Sequence, residues 1–177
     1  MATAARSWTV DRYDGVAIAF HWTIAVLVIL NLASGLVVRP LFFTHKAVGI
    51  TVLVLSVGRL LWRLSHRMPP PPTDIPAWQQ VTARATHWAL YVLILALPLT
   101  GWVMSSATDE RRPLTWFGLF DIPYLPLAPS PLGGTAHDAH VLLGWVALAT
   151  VALHVGAALR HYFVLRDRVL SRMLPGG

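Results

Sequence analysis

The 177-residue chain contains no cysteine. That excludes disulfides, iron–sulfur ligation, thiolate nucleophiles and thioether attachment of a haem. It is also short of charge. Only 12% of its residues are charged, against about 25% in ordinary soluble domains. Acidic side chains are the scarcer sign, 8 against 14 lysines and arginines, and no carboxylate falls inside the long apolar runs. A structural zinc site, which wants close thiol or acidic partners, has little to draw on there. Met1 to Gly15 holds Arg6, Asp11, Arg12 and Asp14 with no apolar core of its own, so this segment is not read as a signal peptide.

What the chain has is apolar length. It is 55% hydrophobic with eight tryptophans and a mean hydropathy of +0.57. The formal charge of +6 raises nucleic acid as a partner. The arginines instead flank apolar runs, as topology signals do, so the expected partner is a lipid bilayer and not nucleic acid.

Four runs are long enough to cross about 30 Å of hydrocarbon, at roughly 16–38, 46–64, 85–105 and 139–163. The expectation is an all-α, four-helix membrane bundle forming a single domain over 1–177. Arg39-Pro40 ends the first run. The second contains Arg59 and Arg63, and Arg63 reads as snorkelling to the interface. The proline run after Arg67 cannot be helical. Trp78 to Arg84 reads as a polar lead into the third run, where Pro98 predicts a kink. The long connection over 106–136 carries Asp109, Glu110, Arg111, Arg112 and an apolar patch from Trp116 to Phe120. It reads as a lid on the membrane surface. The basic tail from Arg166 reads as interfacial. Four spans put both termini on one side. That side carries ten of the 14 basic residues and the other carries Arg39, Lys46, Arg111 and Arg112, which predicts cytoplasmic termini.

One interval recurs in every span. Fourteen residues separate His21 from Gly35, His45 from Arg59, His87 from Gly101 and His140 from His154. Fourteen helical steps return a side chain to within about 40° of the same face, about 21 Å along the axis. With alternating helix direction the positions fall into two layers. The cytoplasmic layer holds His21, Arg59, His87 and His154. The periplasmic layer holds Gly35, His45, Gly101 and His140. A haem in each layer suits these residue types. Two neutral imidazoles ligate one iron, and glycine lets a flat macrocycle approach the backbone. Gly49 and Gly144, each four residues after a histidine, fit the same need, and an inward arginine, Arg59, wants an anion such as a propionate. The periplasmic pair is His45 with His140. The cytoplasmic pair is His21 with His154 or, second, His87 with His154. Taken singly, each feature has a plainer reading: an intramembrane histidine as an interhelical hydrogen-bond donor, a glycine as close packing, a tryptophan as an interfacial belt residue. The conjunction of matched depths favours ligation.

The residues in order carry a family resemblance. They are Arg12-Tyr13 before Phe20-His21-Trp22; Thr44-His45-Lys46 with Gly49; Arg59 and Trp62-Arg63 before the prolines; His87-Trp88 with Pro98 and Gly101-Trp102; His140 with Gly144-Trp145; Leu153-His154; and His161-Tyr162-Phe163 with the tail to Pro175. Over nearly its whole length the chain resembles the prokaryotic cytochrome b561 family of four-helix, di-haem inner-membrane proteins. The resemblance implies His21, His45, His140 and His154 as axial ligands of two haem b groups. His137, one turn before His140, departs from the usual pattern. The resemblance also implies electron transfer between the periplasmic face and ubiquinone, with oxidation of superoxide to oxygen as one activity in the family. Arg39 and Lys46 would then offer a superoxide anion a cationic approach, opposed by Asp109, Glu110, Asp121 and Asp138 on the same side. His161 and His87 would hydrogen-bond a quinone or relay its protons, and Trp78 would stack on its ring. Two other classes stand beside this enzyme: an electron-transfer or membrane-anchor subunit of a dehydrogenase or respiratory complex, and a haem-free transporter or scaffold, which would be colourless.

Overall fold

The computed structural model describes residues 12–36, 42–66, 69–70 and 76–175. Four helices dominate it: α1 (Gly15–Leu36), α2 (Phe42–Ser65), α3 (Ala77–Ser106) and α4 (Leu132–Arg160). Each is long and apolar enough to cross a membrane. Successive helices pack side by side, and a sparser α1–α4 seam closes the ring, so α2 and α4 face each other across the bundle axis. Large apolar side chains point away from the interior on every helix. Leu30, Val54, Val92 and Leu142 are all at least 60% exposed. Outward faces this apolar need lipid around them.

Three of the helices start a turn or more before their apolar runs, α2 by about one turn and α3 and α4 by about two. α3 begins at Ala77, directly after Pro76, so the polar stretch from Trp78 to Arg84 is already helical. Hydropathy marks the part of a helix that sits in hydrocarbon, whereas the backbone continues for as long as its hydrogen bonds do. α4 begins at Leu132 for a related reason. Its first turn presses on the end of α3, where a Cβ on Gly133 would lie 2.5 Å from the Ala107 carbonyl oxygen. Past Arg160 the helix widens into a π-helical turn (His161–Leu165), stopped by Arg166 at φ 52.

Asp14 starts α1. Its carboxylate accepts from the Ala17 amide at 2.8 Å, capping one of the orphan donors of the first turn. It also accepts from the Trp62 indole at 3.2 Å, tying α1 to the end of α2. The Ala17 hydrogen bond is the main reason the Asp14 carboxyl is held below its ordinary 3.8. A carboxyl with a depressed folded-state pKa stabilises the fold above its unfolded pKa, and that contribution fades as pH falls through the folded value. Asp14→Ala is therefore expected to cost about 1 kcal/mol at neutral pH. In thermal melts in detergent, the gap to wild type should close as pH drops below about 4. A gap that persists unchanged in acid would show that the charge is not what caps the helix.

The two ends of the bundle differ. At the end where α1 begins and α4 finishes, here the terminal end, the tail turns back beneath the helices. The Tyr13 amide donates to the Arg172 carbonyl, Trp22 Nε1 to the Met173 carbonyl at 2.6 Å, Arg12 to the Leu174 carbonyl, and Arg172 to the Pro70 carbonyl at 2.8 Å. The tail read as interfacial is thus tied to the start of the chain, α1 and the proline segment. At the opposite, distal end the long connection folds into a cap. It contains a short hairpin, β1 (Thr115–Trp116) and β2 (Phe120–Asp121), which the sequence reading did not include. Phe117, Gly118 and Leu119 join the strands; Phe117 and Gly118 both take positive φ, 49 and 75, in a turn closed by the Leu119 amide donating to the Trp116 carbonyl at 2.9 Å. Trp116 turns inward and donates to Thr51 of α2 at 3.0 Å. Trp102 of α3 donates to the Pro123 carbonyl at 2.9 Å, and Ser106 accepts from the Leu125 amide. The lid is therefore fastened to α2 and α3, while Phe117, Leu119 and Phe120 stay exposed.

Candidate functional site

The histidines gather in two layers, as the fourteen-residue interval requires. In the distal layer His45 of α2 meets His140 of α4 across the bundle axis, with ring centroids 6.0 Å apart and planes at 82°. In the terminal layer His21 of α1 lies 6.2 Å from His154 of α4, at 72°. His87 of α3 also reaches His154, at 5.5 Å and 68°.

Each distal imidazole is held from behind. His45 Nδ1 lies 3.1 Å from the Asn31 carbonyl and 3.1 Å from Ser34 Oγ. Ser34 donates its own proton to that carbonyl at 2.9 Å. The same pattern recurs on α3. His140 Nδ1 lies 3.0 Å from the Leu97 carbonyl and 3.1 Å from Thr100 Oγ1, and Thr100 donates to the Leu97 carbonyl at 2.8 Å. A carbonyl can only accept. Nδ1 must therefore carry the proton in both rings, and Nε2 is left with its lone pair free. The terminal layer lacks this arrangement at His21, whose buried Nδ1 has no hydrogen-bond partner among the described residues.

The glycines explain how the rings fit. A Cβ on Gly35 would sit 2.7 Å from His45 Cε1, and one on Gly101 would sit 3.3 Å from His140 Cε1. The sequence reading assigned these glycines to a macrocycle; what lies directly against them is the imidazole of the next helix. Gly49 and Gly144 line one apolar cavity with Gly35 and Gly101, between His45 and His140. Lys46 and the buried cap residue Leu114 also border it, and Arg112 is close enough to Lys46 for their charges to interact. His137 also lines this cavity. Its side chain is 61% exposed beside Asp138, apart from the ring pair.

In the terminal layer Arg59 is half-buried, 5.7 Å from the Tyr91 ring centre, and close enough to His21 and His154 for its charge to act on both. Arg63, expected to snorkel, donates to the Tyr91 hydroxyl at 3.1 Å. His161 follows His154 by two turns on the same face, with its Nδ1 2.5 Å from Asp167 Oδ2. Trp78 is exposed on the first turn of α3, about 13 Å along the axis from His87. Arg39 lies outside the described residues.

This donor set fits a haem. An iron about 2 Å from each axial nitrogen needs ring centroids roughly 6.3 Å apart, close to the 6.0 and 6.2 Å of the two pairs. The distal rings have a fixed tautomer with Nε2 available, and the wall between them is mostly glycine and apolar side chains.

A membrane four-helix bundle with imidazole pairs stacked at two depths is the architecture of a b-type cytochrome. The profile of the family described as prokaryotic cytochrome b561 matches residues 12–176, and the chain belongs to that family. It is 33% identical to cytochrome b561 homolog 2 of Escherichia coli K12, over 94% of this chain and 93% of that one. It is 32% identical to a probable superoxide oxidase, CybB, of Yersinia pestis, over 93% and 96%, and 28% identical to cytochrome b562 of Cereibacter sphaeroides, over 92% and 94%. The protein is accordingly a haem-b, electron-transferring, multi-pass protein of the bacterial inner membrane.

Proposed function

We propose that the protein carries two haem b groups, one between His45 and His140 and one between His21 and His154, and passes electrons from superoxide at the periplasmic face to ubiquinone near the cytoplasmic face. The observation that carries this reading is the pair of ring separations, 6.0 and 6.2 Å, at two depths of one bundle. The excess of basic residues at the terminal end, Arg59 among them, supports a cytoplasmic location for that end. The name of the Yersinia pestis relative supports superoxide as donor.

When bound, the haems supply a one-electron relay at each layer. Two superoxide anions each lose one electron and leave as dioxygen. The two electrons and two protons from the cytoplasmic side turn one quinone into quinol. The protein's own residues do the rest. Lys46 and Arg112 give the distal cavity a cationic mouth, which favours a small anion. Glycines 35, 49, 101 and 144 keep the space between the distal rings clear. Arg59 balances negative charge in the terminal layer. His161, its Nδ1 held by Asp167, can pass a proton from Nε2 to a quinone oxygen in its imidazolium form. His87 offers a second imidazole on the open side of His154, and Trp78 an exposed aromatic face at the same end of the bundle.

The test is anaerobic. Superoxide added to the purified protein should reduce its haem, and a ubiquinone analogue should reoxidise it. His161→Ala should slow the second step by about 10²-fold or more and leave the first unchanged. Haem that superoxide does not reduce, in a protein that copurifies with a dehydrogenase, would favour the electron-transfer subunit instead.

A further inference from the structure

The two layers treat their histidines differently. On α1, the Asn31 carbonyl and Ser34 hydroxyl, with Gly35 beside them, grip His45. On α3, the Leu97 carbonyl and Thr100 hydroxyl, with Gly101 beside them, grip His140 in the same way. Each clamp takes a carbonyl, the hydroxyl three residues later and the glycine after that, all on one helix face. Ser34 and Thr100 point their protons at the carbonyls, so lone pairs face each Nδ1. At His21 no acceptor of any kind reaches Nδ1 among the described residues.

An acceptor on Nδ1–H pushes electron density through the ring to Nε2 and makes the imidazole a stronger donor to a metal. Stronger axial donation stabilises ferric over ferrous iron and lowers the potential. Arg59 lies close enough to His21 and His154 for its charge to act on both, and a cation there works in the same direction. The hydrogen bonding is the contribution that the distal residues themselves make.

We infer that Ser34 and Thr100, each working with the carbonyl one turn before it, are positioning residues that make the His45–His140 haem the lower-potential of the two. An electron entering at the distal end then runs downhill to the terminal end, and the helices themselves set that direction. This rests on the reading that each imidazole pair holds a haem.

The experiment is a spectroscopic redox titration of the purified holoprotein, with the distal haem identified as the one missing from His45→Ala. In wild type that haem should titrate at the lower midpoint. Ser34→Ala and Thr100→Val each remove one of two acceptors. Each should raise the distal midpoint, shift the low-spin ferric electron paramagnetic resonance of that haem, and leave the other haem unmoved. Thr100→Ser, which keeps the hydroxyl, should restore the wild-type value. A distal midpoint at or above the other, or one that neither variant moves, overturns the inference while two haems are still bound. A His45→Ala protein that keeps both haems overturns the ligand reading, and this inference with it.

Discussion

A His45→Ala protein should hold about half the haem of wild type, having lost the distal group and kept the terminal one. His140→Ala should do the same. The reason is geometric separation. His45 touches its partner on α4 in one layer, and His21 and His154 meet in another, about 21 Å away by helical rise. Neither pair shares a ligand with the other. Within the terminal layer the expected outcomes diverge. His21→Ala should remove the terminal haem, whereas His87→Ala should leave both in place. His21 stands 6.2 Å from His154, near the separation an intervening iron needs, whereas His87 stands at 5.5 Å on a more open side. Haem content by pyridine haemochrome, with difference spectra to show which band is gone, reads all four variants. Loss of both haems from His45→Ala, or loss of the terminal haem from His87→Ala with His21→Ala silent, would overturn these pairings.

A comparably large effect is expected from a single methyl group. Gly35→Ala would place Cβ 2.7 Å from His45 Cε1, well inside contact distance, and His45 cannot back away without giving up the bonds by which Asn31 and Ser34 hold its Nδ1 against the same helix face. The ring must tilt and leave its clamp, or the helices must part. Overpacking of this kind costs about 1–3 kcal/mol, and a tilted ring no longer presents Nε2 to the iron. Gly35→Ala should therefore lose the distal haem and melt earlier. Gly101→Ala, with its Cβ at 3.3 Å, should show a milder form of the same defect. Gly156→Ala is the control. Nothing lies within 4 Å of the added carbon, and alanine is worth up to about 1 kcal/mol over glycine in a helix. Full haem content in Gly35→Ala would show that the close approach is not what seats His45.

The spans and the histidine layers were legible in the sequence because both rest on regular helical geometry. Fourteen residues fix a face and a depth whatever the neighbours are. The clamps were not legible, for a specific reason. Serine and threonine in apolar helices commonly bond back to the preceding turn. Thr51, Thr82 and Thr150 all donate to the carbonyl four residues before, and Thr100 shares its proton between the Ala96 and Leu97 carbonyls. Nothing in the sequence marks Thr100 as the one whose oxygen also meets an imidazole from another helix. The adjacent pairs Ser34-Gly35 and Thr100-Gly101 were the available signal, a hydroxyl beside the gap that admits the ring. The hairpin escaped for a related reason. Phe117 is a poor candidate for positive φ, and it adopts it where Trp116, anchored on Thr51, sets the path of the strand. The folded-back tail depends on backbone carbonyls accepting from Arg12 and Trp22, contacts that leave no pattern in composition or periodicity.

The same helical periodicity also relates the two halves of the bundle. His21-Trp22, Ser34 and Gly35 on α1 are answered by His87-Trp88, Thr100 and Gly101 on α3. His45 and Gly49 on α2 are answered by His140 and Gly144 on α4. The match breaks at one place, where Arg59 stands opposite His154. With a cation there in place of a fourth imidazole, the terminal layer gathers His21, His87 and His154 around one open place.

The central claim is that two imidazole pairs hold two haems in separate layers. Its most direct test is haem per chain in the wild-type protein purified in detergent, by pyridine haemochrome against protein mass, together with a reduced-minus-oxidised spectrum. The account predicts about two b-type haems per chain with the sharp α-band of low-spin, bis-histidine iron. One haem per chain, or a protein that stays colourless when haem is supplied, would contradict it.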